Sequence, residues 1–517
     1  MIARLAHRAW VATNRQRWEA FRHALKDAGG VQDALLKEYI RKNAGTRMGN
    51  RYIFAAIDSV SAFQRRIPIV TYDDLAQDID LLRRGAQDIL TRDPVLRLVP
   101  SSGSTASRKL IPYTRRSRYE LQQAIGPWIA DLQQRRPNAL AGRAYWSVSP
   151  MAEPFDEEEA SAVPIGFADD SAYLGGPAQR LVHLVLAVPP SVRHLEDIDE
   201  FRYTTWKYLL KARDLTLISI WHPSFLTLLL DALPDFWDKL LKDLPRRRAM
   251  ELKRIGPHIP SKFWPDLEVI SCWRDAHAAA PARQLDRLFP DVAVEAKGLL
   301  ATEAVVTVPF EEKFPLAIRS HFFEFLDEND KPHLATELQV GGEYEVVVTT
   351  GGGLYRYRLG DRVRVTGFTG TTPELAFLGK MDRVSDRRGE KLNEEHVAAC
   401  LNRLLEPLDL DVRFALLAPE EDGKYIAYYT LFLECDRPPP TSLAKRLDDA
   451  LCENPHFRNC RKLGQLTPTR VQRIANGGHH VYIDYRCSGG QRLGDIKPTV
   501  LDIDTGWTER FKKAARR

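Results

Sequence analysis

The chain has 517 residues, of which 44% are hydrophobic and 28% are charged. This ordinary globular composition argues against a disordered, collagen-like or low-complexity protein. The 74 Lys and Arg residues exceed the 69 Asp and Glu residues by only five, which is too few for the clustered basic face of a nucleic-acid-binding domain.

Targeting and membrane signals are absent from the sequence. No stretch approaches the ~18–20 apolar residues that a membrane-spanning helix needs, and Met1 to Trp10 lack the apolar segment of a secretory signal. The six cysteines contain no CxxC pair, so they indicate reduced thiols. We expect a cytoplasmic protein.

Apolar spacing and turn residues predict helices, one strand and a small-residue loop in the first part of the chain. These elements are two helices over 18–41 broken at Gly29-Gly30, a loop over 43–49, a strand over 95–100, a loop over 101–109 and a helix over 116–134. The middle of the chain then alternates strands with helical segments. Its elements are strands over 215–221, 267–273 and 292–297 and a helix that opens at Pro223. Such alternation predicts parallel pairing and an α/β fold.

From Tyr344 the pattern changes to hairpins. Residues 355–359 and 362–365 alternate apolar side chains with arginines, which predicts an antiparallel pair with one wet face, turning at Gly360-Asp361. A polar stretch near 380–386 then precedes a compact α/β unit. Its predicted elements are a helix over 393–405, strands over 412–417 and 425–434, a further helix and a last strand over 481–485. We therefore place a large N-terminal domain at 1–380 and a small C-terminal α/β domain at 381–517.

Two segments of the N-terminal domain have the chemistry of a phosphate site. Ser101 to Lys109 reads SSGSTASRK, and its backbone N–H groups and hydroxyls after a buried strand suit a polyphosphate, although no Walker motif is present and such a loop is more often only a loop. Thr302 and Glu303 follow the strand over 292–297. A carboxylate there points into the crevice where α/β sheets bind ligands and can hold Mg²⁺; in isolation a surface glutamate is the simpler reading.

Asp361 and three lysines complete the candidate residues. An aspartate after a glycine turn can accept hydrogen bonds from the vicinal hydroxyls of a ribose, or simply belong to a hairpin turn. Lys380, Lys391 and Lys497 lie beyond the hairpins. Lysines on a mobile second domain can neutralise the charge that develops when a carboxylate attacks a phosphate, although each alone is more simply a solvated surface residue.

The order of these motifs resembles the adenylate-forming superfamily of acyl-CoA ligases and luciferases, and within it the auxin-responsive acyl-acid amido synthetases of plants and bacteria. The resemblance runs from about residue 35 to the end. It is carried by the segments 43–49, 67–75, 101–105 and 322–325, and most specifically by GEYEVVVTTGGGLYRYRLGD over 342–361.

The resemblance implies an enzyme that adenylates a carboxylic acid with ATP and Mg²⁺ and passes the acyl group to an amine such as an amino acid. It implies phosphate contacts for Ser101, Ser102, Ser104 and Thr105, α-phosphate and Mg²⁺ contacts for Thr302 and Glu303, and ribose contacts for Asp361. Lys380 lies where the family has an arginine near the nucleotide. Lys391 and Lys497 match catalytic lysines, and the C-terminal domain would swing about 380–386 between the two half-reactions.

Two other functions stay open at this point. The acceptor can instead be the thiol of CoA or of a carrier, or the protein can bind nucleotide without catalysis. The joint presence of Thr302, Glu303, Asp361 and Lys497 argues against the latter, because a scaffold does not need all four. The sequence does not identify the acid substrate or the oligomeric state. Four aromatic residues near predicted strand ends are candidates for an acyl pocket or for core packing: Tyr145, Trp146, His222 and Phe322.

Overall fold

The computed structural model describes residues 2–101, 109–146, 161–167, 170–195, 197–275, 278–380, 384–385, 387–421, 427–475, 477–488, 491, 496 and 499–515. By its internal contacts the chain divides into two compact units. The first unit comprises Met1–Arg274 and Ala282–Phe377, and the second comprises Asp275–Pro281 and Leu378–Arg517.

Helices and strands occur in both units. The helices are α1 (Ile2–Ala24), α2 (Ala28–Asn43), α3 (Arg47–Arg51), α4 (Val60–Arg66), α5 (Tyr72–Arg83), α6 (Arg115–Arg135), α7 (Gly176–Val185), α8 (Ile198–Lys211), α9 (Ser224–Asp243), α10 (Arg246–Ile255), α11 (Ala279–Leu288), α12 (Glu394–Leu405), α13 (Leu443–Leu451), α14 (Pro455–Lys462), α15 (Gly478–Ser488) and α16 (Trp507–Ala514). The strands are β1 (Val95–Pro100), β2 (Leu110–Thr114), β3 (Arg143–Trp146), β4 (Leu215–Ser219), β5 (Val269–Cys272), β6 (Ala293–Ala296), β7 (Phe322–Leu326), β8 (Pro332–Leu334), β9 (Glu343–Thr349), β10 (Tyr357–Thr369), β11 (Thr372–Lys380), β12 (Val384–Ser385), β13 (Leu392–Asn393), β14 (Val412–Glu421), β15 (Ala427–Cys435) and β16 (Arg470–Arg473).

A parallel sheet of order β3-β4-β5-β6 lies in the first unit. Leu215 and Ile218 of β4 pack into a core with side chains of α8 and α9. Leu217, on the opposite face, packs with side chains of α1, α6 and α7. Both faces of the sheet are therefore buried, as expected for parallel strands, and the carboxyl edge is left for a ligand.

An antiparallel sheet of order β11-β10-β9-β7-β8 and the two-stranded hairpin β1-β2 complete the sheets of this unit. The five-stranded sheet packs its apolar face against side chains of α2, α4 and α5. In the second unit, β14, β15 and β16 form one sheet, in which β15 pairs antiparallel with β14 and parallel with β16. Within the described part of the chain, no helix is both long and apolar enough to cross a membrane.

The predicted start of the chain differs from the structure at two points. Gly29 and Gly30 do not break a helix, because they lie in the first turn of α2, where the Asp27 carboxylate accepts from the Gly30 N–H at 3.0 Å and caps the helix. The break lies before Asp27. The predicted loop over 43–49 contains the start of α3, which is capped by the Thr46 hydroxyl.

The predicted hairpin turn at Gly360-Asp361 is wrong, because β10 runs through both residues without turning. Gly360 has a φ of +73°, and Arg358 pairs with Val347 whereas Arg362 pairs with Glu345. The three residues 359–361 of β10 thus lie opposite the single residue Val346 of β9, which is a bulge rather than a turn. The alternation of buried and accessible side chains continues across the bulge, and this pattern indicates one long strand.

The predicted strand over 481–485 is also wrong, because these residues belong to α15. The Glu434 carboxylate, nearly buried, accepts from the Gly478 N–H at 2.8 Å at the start of the helix. Tyr482 then stacks on Trp507 at 5.5 Å. Tertiary contacts therefore override the strand propensity of Val481 and Ile483.

Candidate active site

The carboxyl edge of the parallel sheet gathers polar and aromatic side chains from neighbouring strands. Lys297 directly follows β6 and is 7% exposed. Its Nζ donates to Ser219 Oγ at the end of β4 at 2.8 Å and lies 4.6 Å from the Trp221 ring centroid. Trp221 in turn contacts Trp273, which follows β5. Lys297 was not among the predicted site residues. The signal that could have identified it is a lysine between the end of a predicted strand and a glycine.

Thr302 and Glu303 lie at the tip of a tight turn that follows this edge. The turn is closed by a hydrogen bond from the Ala301 N–H to the Ala304 carbonyl oxygen at 2.9 Å, and Leu300 pairs with Val305 below it. Both tip residues are half-buried. The turn therefore carries a hydroxyl and a carboxylate after the last strand of the parallel sheet, and such oxygen donors are the kind that Mg²⁺ shares with phosphate oxygens.

A glycine fixes the backbone just before that turn. Gly298 has a φ of +83°, and a Cβ there would lie 2.6 Å from the Thr307 carbonyl oxygen. Thr307 also accepts from the Leu299 N–H through its Oγ1 at 2.8 Å. A side chain at this position would therefore force the backbone of Thr307, just beyond the turn of Thr302 and Glu303, to move.

The serine loop leaves one end of the β1-β2 hairpin. Pro100 pairs with Leu110, and the Ser101 N–H donates to the Lys109 carbonyl oxygen at 2.8 Å, which closes the base of the loop. The Leu110 N–H donates to Tyr72 Oη on α5 at 2.9 Å. Ser102, Ser104 and Thr105 lie outside the described residues. The strand β2 after the loop was not predicted.

Asp361 lies within the bulge of β10 and is 1% exposed. The bulge adds two residues to β10 and so leaves the alternation of the strand in phase. Asp361 therefore shares the buried side of the strand with Leu359 and Val363. The arginines of the alternating pattern divide into two groups. Arg358 pairs with Glu345 on the accessible face, as expected, whereas Arg356, which precedes β10, is buried against Glu324.

The four aromatic candidates for the acyl pocket separate clearly. Tyr145 on β3 and His222 after β4 are buried on neighbouring strands, and His222 Nδ1 lies 2.6 Å from Ser224 Oγ. Trp146 packs on Trp10 of α1. Phe322 belongs to β7 and packs on Phe63 in the core of the antiparallel sheet. Tyr145 also belongs to the core that contains side chains of α8 and α9, so three of the four residues have core contacts and His222 remains the candidate.

The lysines of the C-terminal region lie in the second unit. Lys380 ends β11 and is half-buried. Lys391 is exposed, has a φ of 41°, and accepts from Asn454 Nδ2 through its backbone oxygen at 3.2 Å. Lys497 lies outside the described residues.

Neither a thiol nucleophile nor a multi-ligand metal centre is present among the described residues at this edge. Burial raises the pKa of Cys272 to about 12, so its thiol is protonated at neutral pH. No group of three or more His, Cys, Asp and Glu side chains that could hold a metal ion lies in the described ranges. The groups present suit the binding and charge neutralisation of phosphates.

Three domain models of one family match the chain in order. They are the GH3 family N-terminal domain over residues 17–252, the GH3 family central domain over 314–380 and the GH3 family C-terminal domain over 395–502. The indole-3-acetic acid-amido synthetase GH3.3 of Arabidopsis thaliana is 22% identical over 90% of this chain and 88% of its own length. The jasmonoyl–L-amino acid synthetase JAR6 of Nicotiana attenuata is 24% identical over 93% of this chain and 92% of its own.

Solved structures share the fold along the whole chain. The AtGH3.15 acyl acid amido synthetase in complex with 2,4-DB gives a TM-score of 0.85 at 17% identity and covers 97% of this chain and 96% of that chain. A 2-hydroxyisobutyryl-CoA ligase in the postadenylation state gives a TM-score of 0.52 at 12% identity, with 97% and 92% covered. The expected fold, a large N-terminal α/β domain with a separate C-terminal α/β domain, is confirmed.

Proposed function

We propose that this chain, which belongs to the GH3 family, is an ATP-dependent acyl-acid amido synthetase, a ligase that forms carbon–nitrogen bonds through an acyl-adenylate. The observation that carries the proposal is the ordered match of three GH3 domains along residues 17–502, with the Thr302–Glu303 turn at the carboxyl edge of the sheet. The relatives named as indole-3-acetic acid-amido and jasmonoyl–L-amino acid synthetases support it over nine-tenths of the chain.

The reaction proceeds in two half-reactions. An oxygen of the substrate carboxylate attacks the α-phosphorus of ATP, and the bond to the bridging oxygen of pyrophosphate breaks. The amine of an amino acid then attacks the acyl carbon, AMP leaves with the bonding electrons, and the amine loses a proton to solvent. The protein positions the reactants and neutralises the negative charge that develops in the first step.

Residues of the first unit bind the nucleotide in this proposal. Ser101, Ser102, Ser104 and Thr105 contact the phosphates, and Asp361 accepts hydrogen bonds from the ribose hydroxyls. Thr302 contacts the α-phosphate. Glu303 would hold Mg²⁺ together with phosphate oxygens; when bound, the ion supplies positive charge to the phosphates.

The C-terminal lysines act on the developing charge. Residues 1–380 bind ATP and the acid, and residues 381–517 act as a lid domain. Lys497 and Lys391 neutralise the charge that develops around the α-phosphorus, and Lys380 lies near the nucleotide. We expect Lys497→Ala to slow adenylation far more than amide formation; an equal loss in both half-reactions would exclude this role.

The test is pyrophosphate release from Mg·ATP with a panel of aryl, indolyl and fatty acids, each offered pooled amino acids, hydroxylamine or CoA. Acid-dependent release that needs an amino acid for steady AMP formation supports the proposal and identifies the acid. Turnover with CoA alone would instead assign a thioester-forming ligase. ATP binding without release for any acid would contradict catalysis.

A further inference from the structure

A buried carboxylate on α6 accepts hydrogen bonds from two other segments of the first unit. Glu120 is 1% exposed. Its Oε1 accepts from Tyr39 Oη on α2 at 2.5 Å and from the Gly351 N–H at 2.9 Å. Arg116, one turn earlier on α6, reaches the same oxygen at 3.3 Å. Three donors therefore converge on this one oxygen of the carboxyl group.

Gly351 belongs to the loop that joins β9 to β10. A Cβ at this position would lie 2.1 Å from Arg116 Cγ and 2.5 Å from Glu120 Oε1. The absent side chain is therefore what allows the backbone to reach the carboxylate. Thr91 Oγ1 also donates to the Gly351 carbonyl oxygen at 3.2 Å. This loop leads directly into the strand that contains Asp361.

The other oxygen of Glu120 faces the segment that carries Thr302 and Glu303. His321 Nδ1 lies 3.4 Å from Glu120 Oε2, an electrostatic contact rather than a hydrogen bond, and neither atom has a hydrogen-bond partner among the described residues. On the opposite side of the ring, the Val305 N–H donates to His321 Nε2 at 3.4 Å. Because Nε2 accepts, the proton of a neutral ring lies on Nδ1, the ring atom next to the carboxylate. Val305 pairs with Leu300 at the base of the turn.

We propose that Glu120 and His321 are positioning residues for adenylation, a role that rests on the proposed function. The two oxygens of one carboxylate set the distance between the strand of Asp361 and the turn of Thr302 and Glu303. One connection runs through the Gly351 N–H and the other through the His321 ring to the Val305 N–H. Ribose and α-phosphate contacts lie on these two segments, so their separation must match the nucleotide, and small misplacements are costly for catalysis.

Two variants of His321 separate the two sides of the ring. Glutamine places a carbonyl oxygen near the Nε2 position and can still accept from the Val305 N–H, whereas asparagine keeps only a group near the Nδ1 position. Each variant thus keeps one contact and breaks the other, and we expect His321→Gln, which loses the contact to Glu120, to lose about 10-fold in kcat/KM for ATP. We expect His321→Asn to lose about 10-fold or more, with the KM for the acid unchanged.

A second buried carboxylate on the same helix provides the matched control. Asp131 is 2% exposed and pairs with Arg135 at 2.7 Å, but it lies eleven residues farther along α6, about 16 Å away. Glu120→Gln and Asp131→Asn both remove a buried charge, so both lower the melting temperature. We expect only Glu120→Gln to raise the KM for ATP and lower kcat per folded molecule.

Binding of a non-hydrolysable ATP analogue, measured by calorimetry, separates this proposal from the proposed function. Weaker binding by about 10-fold in His321→Asn and Glu120→Gln, but not in Asp131→Asn, supports positioning. This holds even if no acid gives pyrophosphate release with the wild type, a result that would overturn only the function. Unchanged binding and an unchanged KM for ATP in both variants would overturn the positioning role.

Discussion

Arg356 and Glu324 form a buried ion pair beneath the strand of Asp361, and breaking it should unfold the first unit far more easily. Arg356 Nε and Nη2 each lie 2.9 Å from a Glu324 oxygen, and its Nη1 donates to the backbone oxygens of Gln64 and Ile67. Both charged residues are at most 4% exposed. Removing one partner leaves the other charge buried, which costs about 3–5 kcal/mol.

The assay is urea unfolding followed by tryptophan fluorescence. Nine of the ten tryptophans lie in the first unit, so the signal follows that unit. Arg356→Met and Glu324→Gln should each lose about 3–5 kcal/mol, and the double variant should lose less than the sum of the two by about 1–3 kcal/mol.

The control for this ion pair lies on β10, the strand that follows Arg356. Arg364 and Glu343 also form an ion pair, at 2.6 Å, but the Arg364 side chain is 48% exposed. Arg364→Met should therefore change the free energy of unfolding by no more than about 1 kcal/mol. If Arg356→Met loses no more stability than Arg364→Met, the argument from burial is refuted.

Three further substitutions test the turn of the site, the glycine loop and a buried histidine. Glu303→Gln should lower pyrophosphate release about 100-fold without loss of stability; an unchanged rate would remove Glu303 from the site. Gly351→Ala should cost about 1–3 kcal/mol in urea unfolding, whereas Gly29→Ala, whose nearest neighbour lies 3.7 Å away, should be tolerated. Burial lowers the pKa of His7 from 6.5 to about 4. The unfolded chain thus binds the proton more readily than the folded chain, so the free energy of unfolding should be about 2 kcal/mol lower at pH 5 than above pH 6.5. His7→Gln should reduce this decrease. An equal decrease in the variant would show that His7 is not the group responsible.

The sequence predicted the parallel sheet because strand and helix signals alternate over a short range. Thr302 and Glu303 follow the last strand of that sheet along the chain, and residues in such a position are expected at the carboxyl edge. The roles of these residues, and of Ser101, Asp361 and the lysines, stay predictions.

The errors arose where distant residues decide the local structure. The helix over 478–488 starts at a carboxylate 44 residues earlier, Glu434, and no local pattern reveals that cap. The contact between Glu120 and His321 spans about 200 residues, and a local reading of either residue gives only a polar side chain among apolar neighbours. In contrast, the alternation of side chains through Asp361 does indicate one continuous strand β10, and Gly360 by itself is not evidence of a turn.

Because helices cover both faces of the parallel sheet, the residues at its carboxyl edge can change independently of the two cores. Side chains such as Trp221 and Trp273 follow strands and remain half-buried, while the strands themselves hold the two cores. If the proposed acid binds at this edge, an exchange at these rim positions alters the shape offered to it without opening a cavity in either core. The scaffold thus tolerates divergence at its rim, and acid preference can evolve with little loss of folding stability.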